Sequence, residues 1–221
     1  HRAAGVAEGF PTPTTWNIPE NKGLKWKTPI AGLGHSSPIV WGNRVCLTTA
    51  ISGKADAGIK IGLYGDIASV PDDTVHTWKL MCLDKKSGKV LVDQTIHSGV
   101  PIIKRHLKST HANTTLATDG TYLVAMLGSE GLHTFDLDGK LIWKKDLGVL
   151  DSGFYMVPTA QWEFSSSPII HEGVIVIQAD VQKDSFLAAF DVKTGKELWR
   201  TPRQDVPTFG TPTVHEVGGR T

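Results

Sequence analysis

Ala189-Phe-Asp-Val-Lys-Thr-Gly-Lys-Glu-Leu-Trp199 is the stretch on which the fold turns. A short apolar run reaches an Asp, crosses an Asp-x-x-Thr-Gly turn, and leaves along a second strand that ends on Trp. The turn has a mechanical reason. The Asp191 carboxylate can accept hydrogen bonds from backbone N–H groups two or three residues on, and Thr194 supports the same loop. Gly195 supplies a positive φ at no steric cost. Two relatives lie upstream: Asp84-Lys-Lys-Ser-Gly-Lys-Val-Leu-Val92, with its glycine at Gly88, and Asp136-Leu-Asp-Gly-Lys-Leu-Ile-Trp143, with its glycine at Gly139. The second is one residue shorter; the first has Val92 where the others have Trp143 and Trp199. The three Asp residues recur at intervals of 52 and 55 positions.

A second marker recurs between these turns: His35-Ser-Ser-Pro-Ile-Val40, His111-Ala-Asn-Thr-Thr-Leu116, Ser165-Ser-Ser-Pro-Ile-Ile170 and Phe209-Gly-Thr-Pro-Thr-Val214. The apolar segments around them, such as Tyr122–Leu127 and Gly173–Gln178, are short, rich in β-branched residues and bounded by turn pairs such as Gly42-Asn43 and Asp119-Gly120. One unit therefore reads as strand, turn, strand, loop, strand, Asp-Gly turn, strand. Four strands in about 50 residues is the size of a propeller blade. The expected fold is all-β: a propeller of four-stranded antiparallel blades, about three of them, in an incomplete ring. A helical solenoid is excluded by the short strand-like runs, and a β-helix would need shorter repeats.

The blade limits expected are about 35–92, 111–143 and 165–199, with a fourth begun at 209–221. Trp26, in Leu24-Lys-Trp-Lys-Thr28, looks like one more outer-strand end, so 24–29 is expected to be a closing outer strand from the last blade. All 221 residues then form a single partial propeller domain. Composition agrees. The 23 Gly and 12 Pro spread along the chain suit one set of turns per blade. A net charge of +1 lacks the basic excess of a nucleic-acid binder. The seven Trp, with 40% hydrophobic residues, argue against disorder. No apolar run reaches the roughly 18–20 residues of a membrane span.

The Ala-x-Asp-x-x-Thr-Gly-x-x-x-Trp pattern of 189–199 resembles the signature of the pyrroloquinoline-quinone-type (PQQ-like) β-propeller repeat. From about Trp26 onward the chain is similar to the secreted bacterial PQQ-binding-like repeat proteins. The resemblance implies a periplasmic or extracellular protein and a ring of seven or eight blades. A ring of that size needs roughly 350–400 residues, so the remaining blades are expected from a longer chain or a second chain. The family includes quinoprotein alcohol dehydrogenases, a lipoprotein scaffold of outer-membrane protein assembly, and sensor domains, so fold does not fix function.

The leading expectation is a non-catalytic binding or scaffolding module with no cofactor. Its partner would be a protein or a small ligand at the propeller face, with neither nucleic acid nor a transmembrane segment involved. The alternative is a PQQ- and calcium-dependent dehydrogenase whose catalytic residues lie mostly outside this sequence. In the dehydrogenase branch adjacent cysteines form a ring over the quinone, whereas Cys46 and Cys82 are far apart. They read first as two small buried apolar residues; a disulfide enclosing 51–77 is the other reading.

Candidate ligand-binding residues are those preceding the innermost strands, which crowd the channel mouth: His35, Ser36, Ser37, His111, Asn113 and Ser165. To these are added the basic approach through Arg105 and His106, and Trp162, beside Glu163 in the next connector. Two long insertions are noted. One, 51–77, carries Asp56, Asp66, Asp72 and Asp73, whose spacing is not that of a calcium loop. The other, 150–163, carries Phe154, Tyr155, Met156 and Trp162 and suits a partner surface or a lid. No catalytic residue and no metal site is assigned.

Overall fold

The structure, a computed structural model, describes residues 13–54, 58–60, 68–215 and 217–218. Asp56 and Asp66 of the first insertion, and 219–221 of the expected fourth blade, lie outside them.

Three four-stranded antiparallel sheets follow one another along the chain, each a simple meander. The first holds β1 (Ile39–Trp41), β2 (Arg44–Ser52), β3 (His76–Asp84) and β4 (Val90–Gly99). The second holds β5 (Ala117–Thr118), β6 (Tyr122–Met126), β7 (Leu132–Asp136) and β8 (Leu141–Lys145). The third holds β9 (Ile169–His171), β10 (Val174–Ala179), β11 (Phe186–Asp191) and β12 (Glu197–Pro202). These are blades of an open propeller. No α-helix forms among the described residues; a single 3-10 turn spans Gly128–Glu130. Among the described residues no helix is long and apolar enough to cross a membrane.

Strand alternation builds the core. On β6, Leu123 and Ala125 face the first blade while Val124 and Met126 face the third. On β7, Phe135 faces the first and Leu132 the third. The middle blade is thus apolar on both sides, as a sheet sandwiched between two others must be. Two apolar clusters result. One lies between blades one and two around Trp78, Leu80, Leu123 and Phe135; the other lies between blades two and three around Met126, Phe164, Ile177 and Phe190. Each fully buried large side chain contributes about 1.5–3 kcal/mol of transfer free energy.

The Asp-Gly turns are built alike. The Asp84 Oδ1 accepts the Ser87 N–H at 2.7 Å and the Ser87 hydroxyl at 2.8 Å. Asp191 Oδ1 accepts the same pair from Thr194 at 2.8 and 2.7 Å. In the shorter turn Asp136 Oδ1 accepts from Asp138 and Lys140 instead. Gly88, Gly139 and Gly195 have φ of 72°, 83° and 69°. In all three blades the ladder to the outermost strand slips one register just before the Asp, at Cys82/Leu83, Thr134/Phe135 and Ala189/Phe190. This repeated bulge bends the outer strand toward the next blade.

Outer-strand residues then dock on the turn of the following blade. Trp143 lies over Gly195, where an added Cβ would come within 2.7 Å of its ring, and its indole N–H donates to the Val192 carbonyl at 2.8 Å. Trp26 repeats this on blade one: its ring covers Gly88, and its N–H donates to the Lys85 carbonyl at 2.9 Å. Lys85 and Val192 both stand one residue after the turn Asp. The segment 24–29, expected as a closing outer strand of the last blade, pairs with none of the three sheets. Trp26 is anchored by its indole and by the Thr28 hydroxyl, which donates to the Gly88 carbonyl at 2.6 Å. The described residues 209–215 likewise form no strand.

The structure corrects the first reading of the cysteines. Cys46 and Cys82 face each other directly across β2 and β3 and are joined in a disulfide. They are buried, as small apolar residues would be, but bonded. Closing a 36-residue separation restricts the unfolded chain by about 4 kcal/mol.

Candidate functional site

The blade starts stitch one blade to the next. The Ser37 N–H donates to the Thr115 hydroxyl at 3.2 Å, the Thr115 N–H to the Ser167 hydroxyl at 2.9 Å, and the Ser167 N–H to the Thr211 hydroxyl at 3.2 Å. These four residues occupy the same place in successive repeats, each one before Pro38, Leu116, Pro168 and Pro212. Short hydroxyl side chains are needed here because each must reach a neighbouring backbone N–H without leaving its own strand. His35 is exposed, and its N–H and that of Ser36 both donate to the Ala112 carbonyl at 2.9 Å. The Ser36 hydroxyl accepts the Thr48 N–H. Ser165 is half-buried on the approach to β9. Below this seam the inner strands line a concavity of about 1150 Å³ that includes Trp41, Ile170 and His171.

Asn113 closes its own loop. Its carbonyl oxygen accepts from the Thr110 N–H and hydroxyl, and its amide donates to the Ser109 hydroxyl at 2.7 Å. His106 meets the Trp162 ring edge-on at 5.3 Å, and Trp162 stacks parallel on Phe154 at 5.4 Å. Phe154 in turn meets Tyr155 edge-on at 5.6 Å. This ladder braces the 150–163 connector and leaves Tyr155 and Met156 exposed at its tip.

Arg105 and His111 are brought together, and both are buried. Arg105 donates from Nε to Asp72 Oδ2 at 2.8 Å and from Nη1 to the Gly58 and Ser109 carbonyls. His111 lies between two carboxylates: Nδ1 donates to Glu163 Oε2 at 2.5 Å and Nε2 to Asp72 Oδ2 at 3.1 Å. Burial alone would pull the His111 pKa down. The hydrogen bonds to Asp72 and Glu163, with their charges, outweigh it and raise it to about 9. Burial likewise pushes on Asp72, yet His111 and Arg105 hold its carboxyl below the usual range. Glu130, on the 3-10 turn, is raised to about 7 by burial and by the charge of Glu163.

Local backbone aims these groups. Glu163 sits at φ 69°, a left-handed conformation rare for a residue with a side chain. Its Oε1 accepts the following Phe164 N–H at 3.0 Å, leaving Oε2 for His111. Gly128 makes room: a Cβ there would lie 2.9 Å from Glu163 Oε1. The first insertion reaches the cluster by lacing onto the connector after β4. The Val70 N–H donates to the Arg105 carbonyl at 2.8 Å, and the Ser69 hydroxyl to the Gln161 carbonyl.

The sequence placed Arg105, His111 and Glu163 near one another but did not pair them. It did not single out His76, at the start of β3, whose ring centroid is 4.9 Å from that of His111. Nor did it single out Trp78, whose indole N–H donates to the His111 carbonyl at 2.7 Å. Asp72 was one of several acids in a loop. Nothing in spacing marks these residues, because they arrive from an insertion, a strand end and two blade connectors.

A family profile described as outer membrane protein assembly factor BamB matches residues 81–220. Comparison with curated proteins gives no match. Among solved structures the chain is similar to a europium-containing methanol dehydrogenase, at 13% identity and TM-score 0.45, covering 77% of this chain and 25% of that one. It is similar to a quinohemoprotein alcohol dehydrogenase from Comamonas testosteroni, at 14% identity and TM-score 0.43, covering 78% and 21%. It is also similar to BamB from Moraxella catarrhalis, at 16% identity and TM-score 0.38, covering 78% and 49%. The chain spans half or less of the length of each. At these scores the three likenesses do not bear on function.

Proposed function

The chain belongs to the family described as outer membrane protein assembly factor BamB, and from that premise we propose that it is a non-catalytic propeller module. It binds a protein partner by its connector face, in the periplasm or outside the cell. The observation that carries this reading is the braced aromatic tip at 150–163. Tyr155 and Met156 are 51% and 68% exposed, held from beneath by the Phe154–Trp162–His106 ladder. Exposed aromatic and Met side chains are enriched at the centres of protein interfaces, and the braced aromatic rings have little freedom left to lose on binding. The cystine supports an oxidising compartment.

A quinone site does not fit the residues present. The two cysteines are buried and bridged inside the sheet of blade one, so they cannot form a ring over a cofactor at the mouth. Trp199 supports the remaining blades. It stands where Trp143 stands, yet its ring is 44% exposed, as a docking residue is before its turn glycine arrives. The one partial domain, with its blades near 35–92, 111–143 and 165–199, is read on the same basis.

Two measurements test this function. A photo-crosslinking residue at Met156 captures a discrete partner in the producing cell, and one at Lys193 does not; equal capture at both positions defeats the partner face. Titration of the full chain with PQQ and Ca²⁺ gives no stoichiometric heat; tight one-to-one binding overturns the non-catalytic reading.

A further inference from the structure

The buried cluster holds one group that its own hydrogen bonds do not explain. His76 is 2% exposed, and its Nδ1 lies 2.8 Å from the Thr74 carbonyl, so Nδ1 carries the proton and Nε2 the lone pair. That Nε2 is buried without a hydrogen-bond partner. A buried acceptor left unmatched is costly, and an ion is one partner that would satisfy it.

We propose that Asp72, His76 and His111 form a binding site for a divalent transition-metal ion of the zinc type. Their donor atoms lie within 4.8 Å of one another. Tetrahedral zinc with bonds of about 2.0–2.1 Å places its donors about 3.4 Å apart, so modest side-chain rotation closes the set. Two imidazole nitrogens and one carboxylate oxygen suit zinc and its neighbours; calcium and magnesium call for all-oxygen sites.

The outer contacts are those a metal site requires. A ligating histidine donates its other ring N–H to a carboxylate or a backbone carbonyl, which fixes its orientation. His111 donates Nδ1–H to Glu163, and His76 donates Nδ1–H to the Thr74 carbonyl. Both rings therefore turn Nε2 inward. Arg105 Nε donates to Asp72 Oδ2 and holds the carboxylate beside both imidazoles. On binding, the His111 Nε2–H bond breaks, the proton passes to solvent, and an Nε2–metal bond forms in its place. All three ligands are buried, so the ion is structural. It would clamp the blade-one insertion, through Asp72, to the start of β3 and to the connector entering blade two. This goes beyond the proposed partner face and does not depend on it.

The full chain, stripped with a chelator, is titrated with Zn²⁺ by calorimetry and with Co²⁺ by visible absorption. The expected result is one equivalent bound per chain, intense tetrahedral Co²⁺ bands, and a higher Tm with Zn²⁺. His76→Gln lowers zinc affinity about 100-fold or more and abolishes the Tm rise. Its metal-free Tm falls with the loss of the Nδ1–H bond to the Thr74 carbonyl, so the effect of zinc is read against the variant's own metal-free baseline. His171→Gln, at a half-buried histidine on β9, leaves binding as it was. Only octahedral Co²⁺ bands with the native chain, or His76→Gln binding zinc as the native chain does, would overturn the site. The cobalt spectrum needs no variant and decides even if His76→Gln fails to fold.

Discussion

The two boundaries between blades solve one packing problem differently. Between blades two and three the outer end is closed by Trp143, which covers Gly195 and donates its N–H to the Val192 carbonyl. Between blades one and two that place belongs to Val92, whose Cγ1 sits where a Gly139 Cβ would be, at 2.4 Å. Valine has no N–H to donate. The nearby Arg44–Asp138 pair, at 2.7 Å, is too exposed to contribute much. The compensation lies on the connector face: Trp78 bonded to the His111 carbonyl, and His111 and Arg105 bonded to Asp72 and Glu163. A boundary with a weak outer dock is carried by charge at its other end, and a boundary with a strong dock by an aromatic ring.

Removing each support tests that division. His111→Leu strips two buried carboxylates of their shared cation and is expected to cost up to about 5 kcal/mol in denaturant unfolding. An effect below 1 kcal/mol would mean the cluster is not what holds blades one and two. Trp143→Ala is expected to cost about 3 kcal/mol and Val92→Ala about 1 kcal/mol. Equal costs would show that the two outer docks are equivalent after all.

The first boundary also has a pH liability. His133 is pulled down to about 4 by burial, and then by the positive charges of His97 and Lys144, and it stacks on Phe135 in the cluster between blades one and two. The unfolded chain takes up its proton near pH 6.5, the folded chain only near 4. Stability from the neutral ring is therefore complete above about pH 6.5 and drains away as pH falls toward 4, by on the order of 2 kcal/mol at pH 4.5. His133→Phe should flatten the slope of stability against pH in that window; an unchanged slope would assign it elsewhere. A modest effect is expected at the turns. Gly195→Ala and Gly139→Ala each force a Cβ into the docked side chain at positive φ, for about 1–2 kcal/mol. Gly139→Ala should be the milder, because Val92 is the smaller obstacle; the reverse order would mean the Trp143 dock is the looser one.

Much of the architecture was readable before any coordinates. The Asp-x-x-Ser/Thr-Gly turns are local patterns whose physics is complete within a few residues, and their recurrence gives the blade count. The docked Trp residues were readable too, because an aromatic ring at a fixed offset from a turn can only pack outward. Their partners were not: the carbonyls of Lys85 and Val192 belong to other blades. The cystine was left open because a covalent bond needs two Cβ atoms face to face, and register across β2 and β3 is not written in spacing. His35, Ser36 and Ser37 are candidate ligand contacts by position, because residues just before an innermost strand crowd the channel mouth. Their backbone N–H groups, which bind the next blade, carry no signal in a side-chain alphabet.

Repetition is a property of the chain, since each Asp-Gly turn is closed by hydrogen bonds within one sheet. Convergence belongs to the folded molecule alone. Asp72, His76, His111 and Glu163 are spread over some ninety positions, and only the stacking of one blade on the next turns four unremarkable polar residues into a single buried site.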